Sequence, residues 1–493
     1  MFAYDFSNHQ NRFIHIEDTP DGYLEELASK AQSDPFYPRF HVAPPCGLTN
    51  DPCGLFESEG VHYVFHQWFP AGPVHGLKYW RLLTTRDFVS YEDHGVALAP
   101  GLPFDNHGCY TGMALPAESG EADVYYTGVA GEELDPTMCL ARWKDGELRD
   151  RHVLVSRNPS LSSNEFRDPF VFEADGVKHM LVGSQSPDGR GQFLLYREVE
   201  GAFEPVGPLA FEGADADGKS LGYMYECPNY YEQDGRGVIF FAPMGLVGEG
   251  KYDFKNVFSV VYGVGAPLDV RAGAFRFETL REMDKGFDFY APQTYRDETG
   301  RQILMGWLGN SKSPYPTDKN GWAHMLTVPR ELRLEGSFVT QRPIVELEAL
   351  REGGMDLEDT KTIRLDGAPL LDVDGLASGA FMWEIGNDCG DTVRFEATEG
   401  EFMLDRSAMS HLYAERFGTV RYARRLDQDT TVRLLVDTSS IELFVDNGKT
   451  VFTSRYFIDN PSYLHVSGVK GAAYRMGNIL IAGLCYGKSY RSR

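Results

Sequence analysis

Three carboxylate residues, far apart in the chain, stand in similar short contexts. Asp51 and Asp168 are each followed directly by proline, and Glu226 is followed by proline after one residue. Carboxylates that share a pocket repel each other, so at least one should have a raised pKa and stay protonated near neutral pH while a neighbour stays ionised. This division suits glycoside hydrolysis with retention, in which one carboxylate attacks the anomeric carbon and a protonated partner about 5 Å away donates to the departing oxygen.

A repeated unit explains how such distant residues come together. It consists of a polar or acidic landmark, an aromatic-rich run, a glycine turn and a short strand, and it occurs five times. The landmarks are Asp51, Thr111, Asp168, Glu226 and Tyr290, at spacings of 60, 57, 58 and 64 residues. A period of this length without crossover helices predicts an all-β fold, a five-bladed β-propeller whose equivalent positions face one central channel. Two alternative interpretations stay open. The Asp-Pro pairs would be structural if they only start turns, as Asp-Pro commonly does, and the glycine spacing would not mark a propeller if it only reflects the near-regular turns of many all-β proteins.

The predicted strands of the five units cover residues 61–65, 123–127, 178–182, 238–241 and 302–307. Alternating runs at 432–437, 441–446 and 450–454, with Asn447-Gly448 as a hairpin turn, predict a separate antiparallel sandwich. Apolar residues at helical spacing (Tyr23, Leu24, Leu27, Ala28 and Ala31) predict one helix, with its N-cap within residues 18–20. We therefore expect an N-terminal helical extension over 1–35, a propeller over 36–337, a linker helix over 338–355 and a β-sandwich over 356–493.

Composition excludes several partners. The 493 residues carry a formal charge of −25, so nucleic acid and anionic membrane surfaces are not expected to bind. The N-terminus lacks a basic region followed by an apolar one, and no run approaches the roughly 18 apolar residues that cross a bilayer, so a cytoplasmic protein is expected. The seven cysteines (46, 53, 109, 139, 227, 389 and 485) show no paired CxxC spacing. They predict free thiols, with neither a disulfide framework nor a zinc site.

Several motifs resemble those of one enzyme family. The segment 41–54, His-Val-Ala-Pro-Pro-Cys-Gly-Leu-Thr-Asn-Asp-Pro-Cys-Gly, resembles the NDPNG motif of glycoside hydrolase family 32, the invertase type. Arg167-Asp168-Pro169 and the pair Glu226-Cys227 resemble the other two signatures of that family. Segments 72–80, 286–293, 315–319 and 321–324 look most like its bacterial members that act on sucrose phosphate, and 437–445 resembles its C-terminal sandwich. The resemblance covers nearly the whole chain.

The resemblance implies a role for each carboxylate. Asp51 would be the nucleophile, Glu226 the general acid/base, and Asp168 the residue that holds the fructosyl hydroxyls and stabilises the transition state. It also implies a β-fructofuranosidase acting on a small sugar, sucrose or sucrose 6-phosphate, with no metal or other cofactor. The residues that would line the sugar pocket are Asn50, Gln67, Tyr110, Thr111, Arg167 and Trp322. On their own sequence context, Tyr110 and Trp322 also suit a blade core, and Gln67 a strand-end cap.

The chain departs from the family pattern at Cys53, Met113 and Arg81, which leaves the rim of the pocket and the leaving-group preference open. A phosphorylated substrate requires a local cation in so acidic a protein, and Arg81 is the candidate, its alternative being a solvated charge at a blade edge. Three other functions stay open: fructosyl transfer, fructan or fructo-oligosaccharide exohydrolysis, and sugar binding without turnover. The sequence does not decide between a monomer and a homo-oligomer.

Overall fold

Short antiparallel sheets follow one another along the first 343 residues. The computed structural model describes residues 4–117, 120–213, 221–358, 360–365, 367 and 369–484. The first sheet contains β1 (Gly47–Ser58), β2 (Val61–Phe69), β3 (Tyr79–Thr85) and β4 (Ser90–Leu98). The second contains β5 (Gly108–Pro116), β6 (Ala122–Ala130), β7 (Asp135–Lys144) and β8 (Glu147–Ser156). The third contains β9 (Phe166–Ala174), β10 (Val177–Gln185), β11 (Gly191–Val199) and β12 (Ala202–Pro208).

Two further sheets complete this part of the chain. The fourth contains β13 (Ala210–Gly213), β14 (Met224–Gln233), β15 (Arg236–Met244), β16 (Val261–Gly265) and β17 (Ala274–Glu282). The fifth begins with β18 (Tyr290–Arg296) and β19 (Gln302–Leu308). The chain then adds β20 (Trp322–Ala323), which pairs in parallel with β1, before β21 (Met325–Leu326), β22 (Arg330–Glu335) and β23 (Phe338–Pro343) complete the fifth sheet. The five strands predicted from the repeat lie inside β2, β6, β10, β15 and β19, so these predictions are confirmed.

The strands β1, β5, β9, β14 and β18, here called the inner strands, form a closed ring. Each contacts the inner strand of the next sheet, and β18 contacts β1. The predicted all-β fold is therefore confirmed, and a ring of this kind is what a propeller requires. The count of five blades stays a prediction that the ring supports.

Every inner strand has a β-bulge at or beside its landmark. The pairing register shifts between Thr49 and Pro52, Tyr110 and Gly112, Arg167 and Phe170, Glu226 and Asn229, and Tyr290 and Gln293. A bulge interrupts the alternation of a strand and redirects the side chains around it. The five landmarks found in the sequence are therefore five equivalent points of backbone irregularity.

Three of these bulges contain a residue other than glycine in the left-handed region. Asp168 has φ 63°, Cys227 φ 50° and Ala291 φ 44°. Such a conformation costs roughly 1–3 kcal/mol and persists only where the surrounding structure enforces it. At these three inner strands, strained backbone coincides with the bulges that direct side chains into the centre of the ring.

The C-terminal part forms two six-stranded antiparallel sheets, as predicted. Their strands are β24 (Arg351–Leu357), β25 (Thr360–Arg364), β26 (Leu371–Ser378), β27 (Phe381–Gly386), β28 (Thr392–Ala397), β29 (Glu401–Ala408), β30 (Val420–Arg424), β31 (Asp429–Val436), β32 (Ser440–Val445), β33 (Thr450–Arg455), β34 (Tyr463–Ser467) and β35 (Lys470–Met476). In the core of the sandwich, Phe395 stacks on Trp383 of the neighbouring strand at 5.8 Å and meets Phe452 of the opposite sheet edge-on at 5.4 Å. The predicted turn at Asn447-Gly448 joins β32 to β33. A last strand, β36 (Leu480–Ala482), leaves the sandwich and pairs in parallel with β4 of the first sheet.

Helices are few. The α-helix α1 (Tyr23–Gln32) buries the five apolar residues that predicted it, but its N-cap is Gly22 and not a residue of 18–20. The 3-10 helices of the described residues include His9–Phe13, Ile16–Asp18, Asp318–Asn320, Val345–Leu350, Glu415–Phe417 and Asp446–Gly448. Within the predicted linker region 338–355, Val345–Leu350 is helical and strands flank it. The domain boundaries stay a prediction. No helix within the described ranges is long and apolar enough to cross a membrane.

A buried charge network joins the ring to the sandwich. His41 lies just before β1, and its two ring nitrogens are 2.8 Å from Asp437 Oδ2 and 2.9 Å from Glu442 Oε1. Arg330 on β22 donates through Nε to Glu442 Oε2 at 3.0 Å. Burial alone would lower the pKa of His41, but the hydrogen bonds to the two carboxylates raise it to about 9. His41 is therefore an imidazolium enclosed between two carboxylates.

Candidate active site

The five landmark residues line one cavity of about 600 Å³. Because the inner strands form a ring and each bulge occupies the equivalent position, residues from five sheets converge there. Eight of the nine site residues predicted from the sequence contribute to its wall: Asn50, Asp51, Gln67, Tyr110, Thr111, Arg167, Asp168 and Glu226. The ninth, Trp322, does not.

Asp51 is held by donors on both carboxylate oxygens. Oδ1 accepts a hydrogen bond from Asn50 Nδ2 at 3.0 Å, and Oδ2 accepts a short one from the Thr111 hydroxyl. Gln67 lies behind both donors, since its Oε1 accepts from Asn50 and its Nε2 donates to Thr111 at 3.0 Å. Burial raises the pKa of Asp51, and the two hydrogen bonds limit the increase. The result is a carboxylate fixed in one orientation at the cavity wall, as a nucleophile requires.

Asp168 is almost fully enclosed. Its Oδ2 accepts a hydrogen bond from the backbone N–H of Cys227 at 2.9 Å, so the third and fourth sheets meet at this carboxylate. Burial raises the pKa of Asp168, and the Arg167 guanidinium lowers it. The carboxylates of Glu226 and Asp51 add to the increase, and the pKa is about 7. Burial is thus the main reason that the pKa of Asp168 is raised, and the neighbouring carboxylates add to it.

Glu226 has two partners of different kinds. Its Oε1 accepts from Arg167, through Nε at 3.0 Å and Nη2 at 2.8 Å, and its Oε2 accepts a short hydrogen bond from the Tyr290 hydroxyl. Sequence reasoning linked Arg167 to its neighbour Asp168, whereas the guanidinium pairs directly with Glu226 on the next sheet. Tyr290 appeared in the sequence only as a landmark of the repeat, and it is a direct partner of a predicted catalytic residue.

Lys78 and His75 are among the cavity residues that were missed as site residues. Lys78 Nζ donates to Asn50 Oδ1 at 2.7 Å and lies 3.0 Å from His75 Nδ1. Burial lowers the pKa of Lys78 to about 7. Burial together with the neighbouring cations keeps the pKa of His75 well below its ordinary value, so its ring is neutral. Both residues lie in the connection between β2 and β3, where the only signal was the resemblance of segment 72–80.

Two sequence assignments are corrected. Trp322 is fully buried outside the cavity, where its Nε1 donates to Asp34 Oδ2 at 2.9 Å, so it belongs to the core. Arg81 does not stand at the pocket mouth, because its side chain is 1% exposed and forms a short ion pair with Asp93. Its guanidinium lies 4.7 Å from the ring centre of Trp68.

The other two residues that depart from the family pattern do not line the cavity. Cys53 and Met113 are buried and are not part of its wall. Six described cysteines are free, and Cys485 lies outside the described residues. Among the residues that the structure describes, no group of three or more His, Cys, Asp or Glu side chains could hold a metal ion.

Comparisons with known proteins agree over the length of the chain. The family model described as "Glycosyl hydrolases family 32 N-terminal domain" matches residues 41–343, and "Glycosyl hydrolases family 32 C terminal" matches 377–474. A sucrose-6-phosphate hydrolase of Vibrio alginolyticus is 39% identical over 468 residues, 94% of this chain and 95% of that one. The structure of a sucrose-6-phosphate hydrolase from Lactobacillus gasseri aligns with a TM-score of 0.89 at 26% identity, over 96% of this chain and 100% of that one. A Bombyx mori β-fructofuranosidase mutant in complex with sucrose aligns with a TM-score of 0.79 at 27% identity, over 93% of this chain and 98% of that one.

Proposed function

The chain belongs to glycosyl hydrolase family 32, and on that premise we propose that it is a retaining β-fructofuranosidase that hydrolyses sucrose or sucrose 6-phosphate. The products are fructose and glucose or glucose 6-phosphate. The observation that carries the proposal is that carboxylates from three separate sheets line one cavity, each with its own set of hydrogen-bond partners.

In the first step Asp51 attacks the anomeric carbon of the fructosyl unit. Donors on both of its carboxylate oxygens orient it, so little freedom is lost when the bond forms. The bond from the anomeric carbon to the glucosyl oxygen breaks, and its electron pair stays on that oxygen. The oxygen takes a proton from Glu226, which leaves a fructosyl ester on Asp51.

In the second step Glu226 acts as a base. It removes a proton from a water molecule that attacks the anomeric carbon and releases Asp51, so the configuration at that carbon is retained. Arg167 and Tyr290 both contact the Glu226 carboxyl group and fix it on the side of the cavity from which proton and water must come.

Asp168 contacts the fructosyl unit and does not form a bond to it. In its ionised form it accepts hydrogen bonds from sugar hydroxyls and stabilises the positive charge that develops in the transition state. Because the pKa of Asp168 is about 7, the fraction in this form rises through neutral pH.

The test replaces the two reacting carboxylates one at a time. D51N and E226Q should each lower kcat for release of fructose from sucrose by roughly a thousandfold or more. E173Q is the matched control, because Glu173 is an exposed carboxylate on β9, the strand that carries Asp168. Undiminished turnover by either variant, or a wild type that binds sucrose and sucrose 6-phosphate without turnover of either, would contradict the proposal.

Retention has its own measurements. The anomer of fructose released first, followed by NMR, should match the configuration of the substrate. The Asp51 and Glu226 carboxyl groups should stand about 5 Å apart in a crystal structure of the protein, whereas a separation near 9 Å would indicate inversion.

A further inference from the structure

The N-terminal segment forms part of the cavity wall. His9, Arg12 and Phe13, which make up most of the first 3-10 helix, line the same cavity as the three carboxylates. They precede residue 41, where the match to the family begins.

Close contacts fix this segment to the connection that carries His75 and Lys78. The backbone N–H of Leu77 donates to the carbonyl of Arg12 at 2.7 Å. A Cβ atom on Gly76 would lie only 2.4 Å from the same carbonyl oxygen, so this approach requires glycine. Arg12 is thus held at the wall by backbone contacts, and its guanidinium is left for other partners.

Cations gather at this side of the cavity without carboxylate partners. Arg12, Lys78 and Lys312 are all close enough to His75 to lower its pKa. Lys312 Nζ lies 5.5 Å from the ring centre of Phe258, which also lines the cavity. Lys78 is only partly charged near neutral pH, because its pKa is about 7. In the described part of the chain, neither of the other two cations is within ion-pair distance of a carboxylate. Unpaired like charges repel, so this cluster favours binding of an anion.

Hydrogen-bond donors in the cluster are also unused. Among the described residues the Arg12 guanidinium makes one hydrogen bond, from Nε to the Phe6 carbonyl at 3.1 Å. His75 accepts from Lys78 at Nδ1, so its neutral ring carries the hydrogen on Nε2, and that atom has no partner in the described ranges. A ligand with several acceptor oxygens would satisfy both groups.

We propose that Arg12 and Lys312, together with His75, bind the phosphate group of a phosphorylated sucrose, so that sucrose 6-phosphate is the preferred substrate. This inference rests on the proposed function, because it names the substrate class of the same cavity. Arginine presents a planar fork of donors that matches a phosphate group, and lysine adds a second positive charge. A neutral glucosyl unit would leave these charges without a partner.

The test compares two substrates in matched variants. R12Q should lower the ratio of kcat/KM for sucrose 6-phosphate to kcat/KM for sucrose by roughly ten- to hundredfold, the range expected for loss of a hydrogen bond to a charged group. K312Q should lower the ratio in the same direction, and R12K should restore part of it. R364Q is the control, since Arg364 is an exposed arginine of the sandwich. Glucose 6-phosphate should inhibit R12Q less strongly than the wild type.

The outcomes separate this inference from the proposed function. A wild-type protein that releases fructose from neither substrate contradicts the proposed function. A wild type that hydrolyses both with equal kcat/KM, or an R12Q variant with the wild-type ratio, overturns the phosphate site alone. If R12Q does not fold, as judged by its circular dichroism, K312Q decides the question, because Lys312 is exposed and its loss leaves the core intact.

Discussion

Replacement of His41 by glutamine should remove a stabilisation that depends on pH. The imidazole of an unfolded chain has a pKa near 6.5, whereas the pKa of His41 in the folded protein is about 9. Between these values the folded protein binds a proton that the unfolded chain does not bind. The contribution of His41 is therefore complete below pH 6.5 and is lost as pH rises through 9. At 1.36 kcal/mol per pKa unit, the change amounts to about 3 kcal/mol.

Differential scanning calorimetry of the wild type and H41Q at one scan rate measures this change. The unfolding temperature of the wild type should exceed that of H41Q by most at pH 6. For a chain of this size, in which 1 kcal/mol changes the unfolding temperature by about 1 °C, the gap should narrow by roughly 2–3 °C between pH 6.5 and 9. Other groups titrate in both proteins, so the difference between them isolates the imidazolium.

H94Q is the control, because His94 is exposed and does not belong to the buried network of His41. Its Nε2 lies 2.8 Å from the Thr84 hydroxyl. The difference in unfolding temperature between H94Q and the wild type should stay constant between pH 6.5 and 9. A gap between wild type and H41Q that is constant, or that widens toward pH 9, would refute the reasoning, since it would mean that His41 is neutral in the folded protein.

Two further predictions concern the cavity and its neighbour in the core. Y290F removes the hydroxyl that donates to Glu226, so kcat for sucrose should fall about tenfold with a smaller change in KM. Steady-state kinetics at several pH values checks this prediction. An unchanged kcat would show that the contact does not matter for turnover. W322F removes the hydrogen-bond donor to Asp34, so it should lower the unfolding temperature. The kcat/KM for sucrose should stay within about twofold of the wild-type value. A tenfold rise in KM would instead place Trp322 in the sugar pocket.

The repeat made much of the site visible in the sequence. Asp51, Thr111, Asp168, Glu226 and Tyr290 were found as equivalent positions, and all five line the cavity. The reason is physical, because each stands at a bulge, where proline, glycine or a small residue must follow the landmark to allow the altered backbone. A structural requirement repeated in every unit leaves a pattern that a single sequence can reveal.

Contacts between distant segments left no such pattern. The hydrogen-bond partner of Trp322 is Asp34, 288 positions earlier in the chain. No motif near either residue indicates that the two are in contact. Arg81 appeared to be a free cation because its partner, Asp93, lies on the neighbouring strand. Lys78 stands in an irregular connection without periodicity. The cytoplasmic location and the oligomeric state depend on surroundings outside the chain, and the expected location stays a prediction.

The pairing of β36 with β4, and of β20 with β1, bears on how the protein is made. The first sheet leaves the ribosome early, yet the strands that cover its two edges come from residues 322–323 and 480–482. Uncovered strand edges invite pairing with other chains, and contacts between remote segments form slowly. We expect the nascent chain to depend on chaperones until translation is nearly complete, and chains that terminate before residue 480 to aggregate through the exposed edge of Ser90–Leu98.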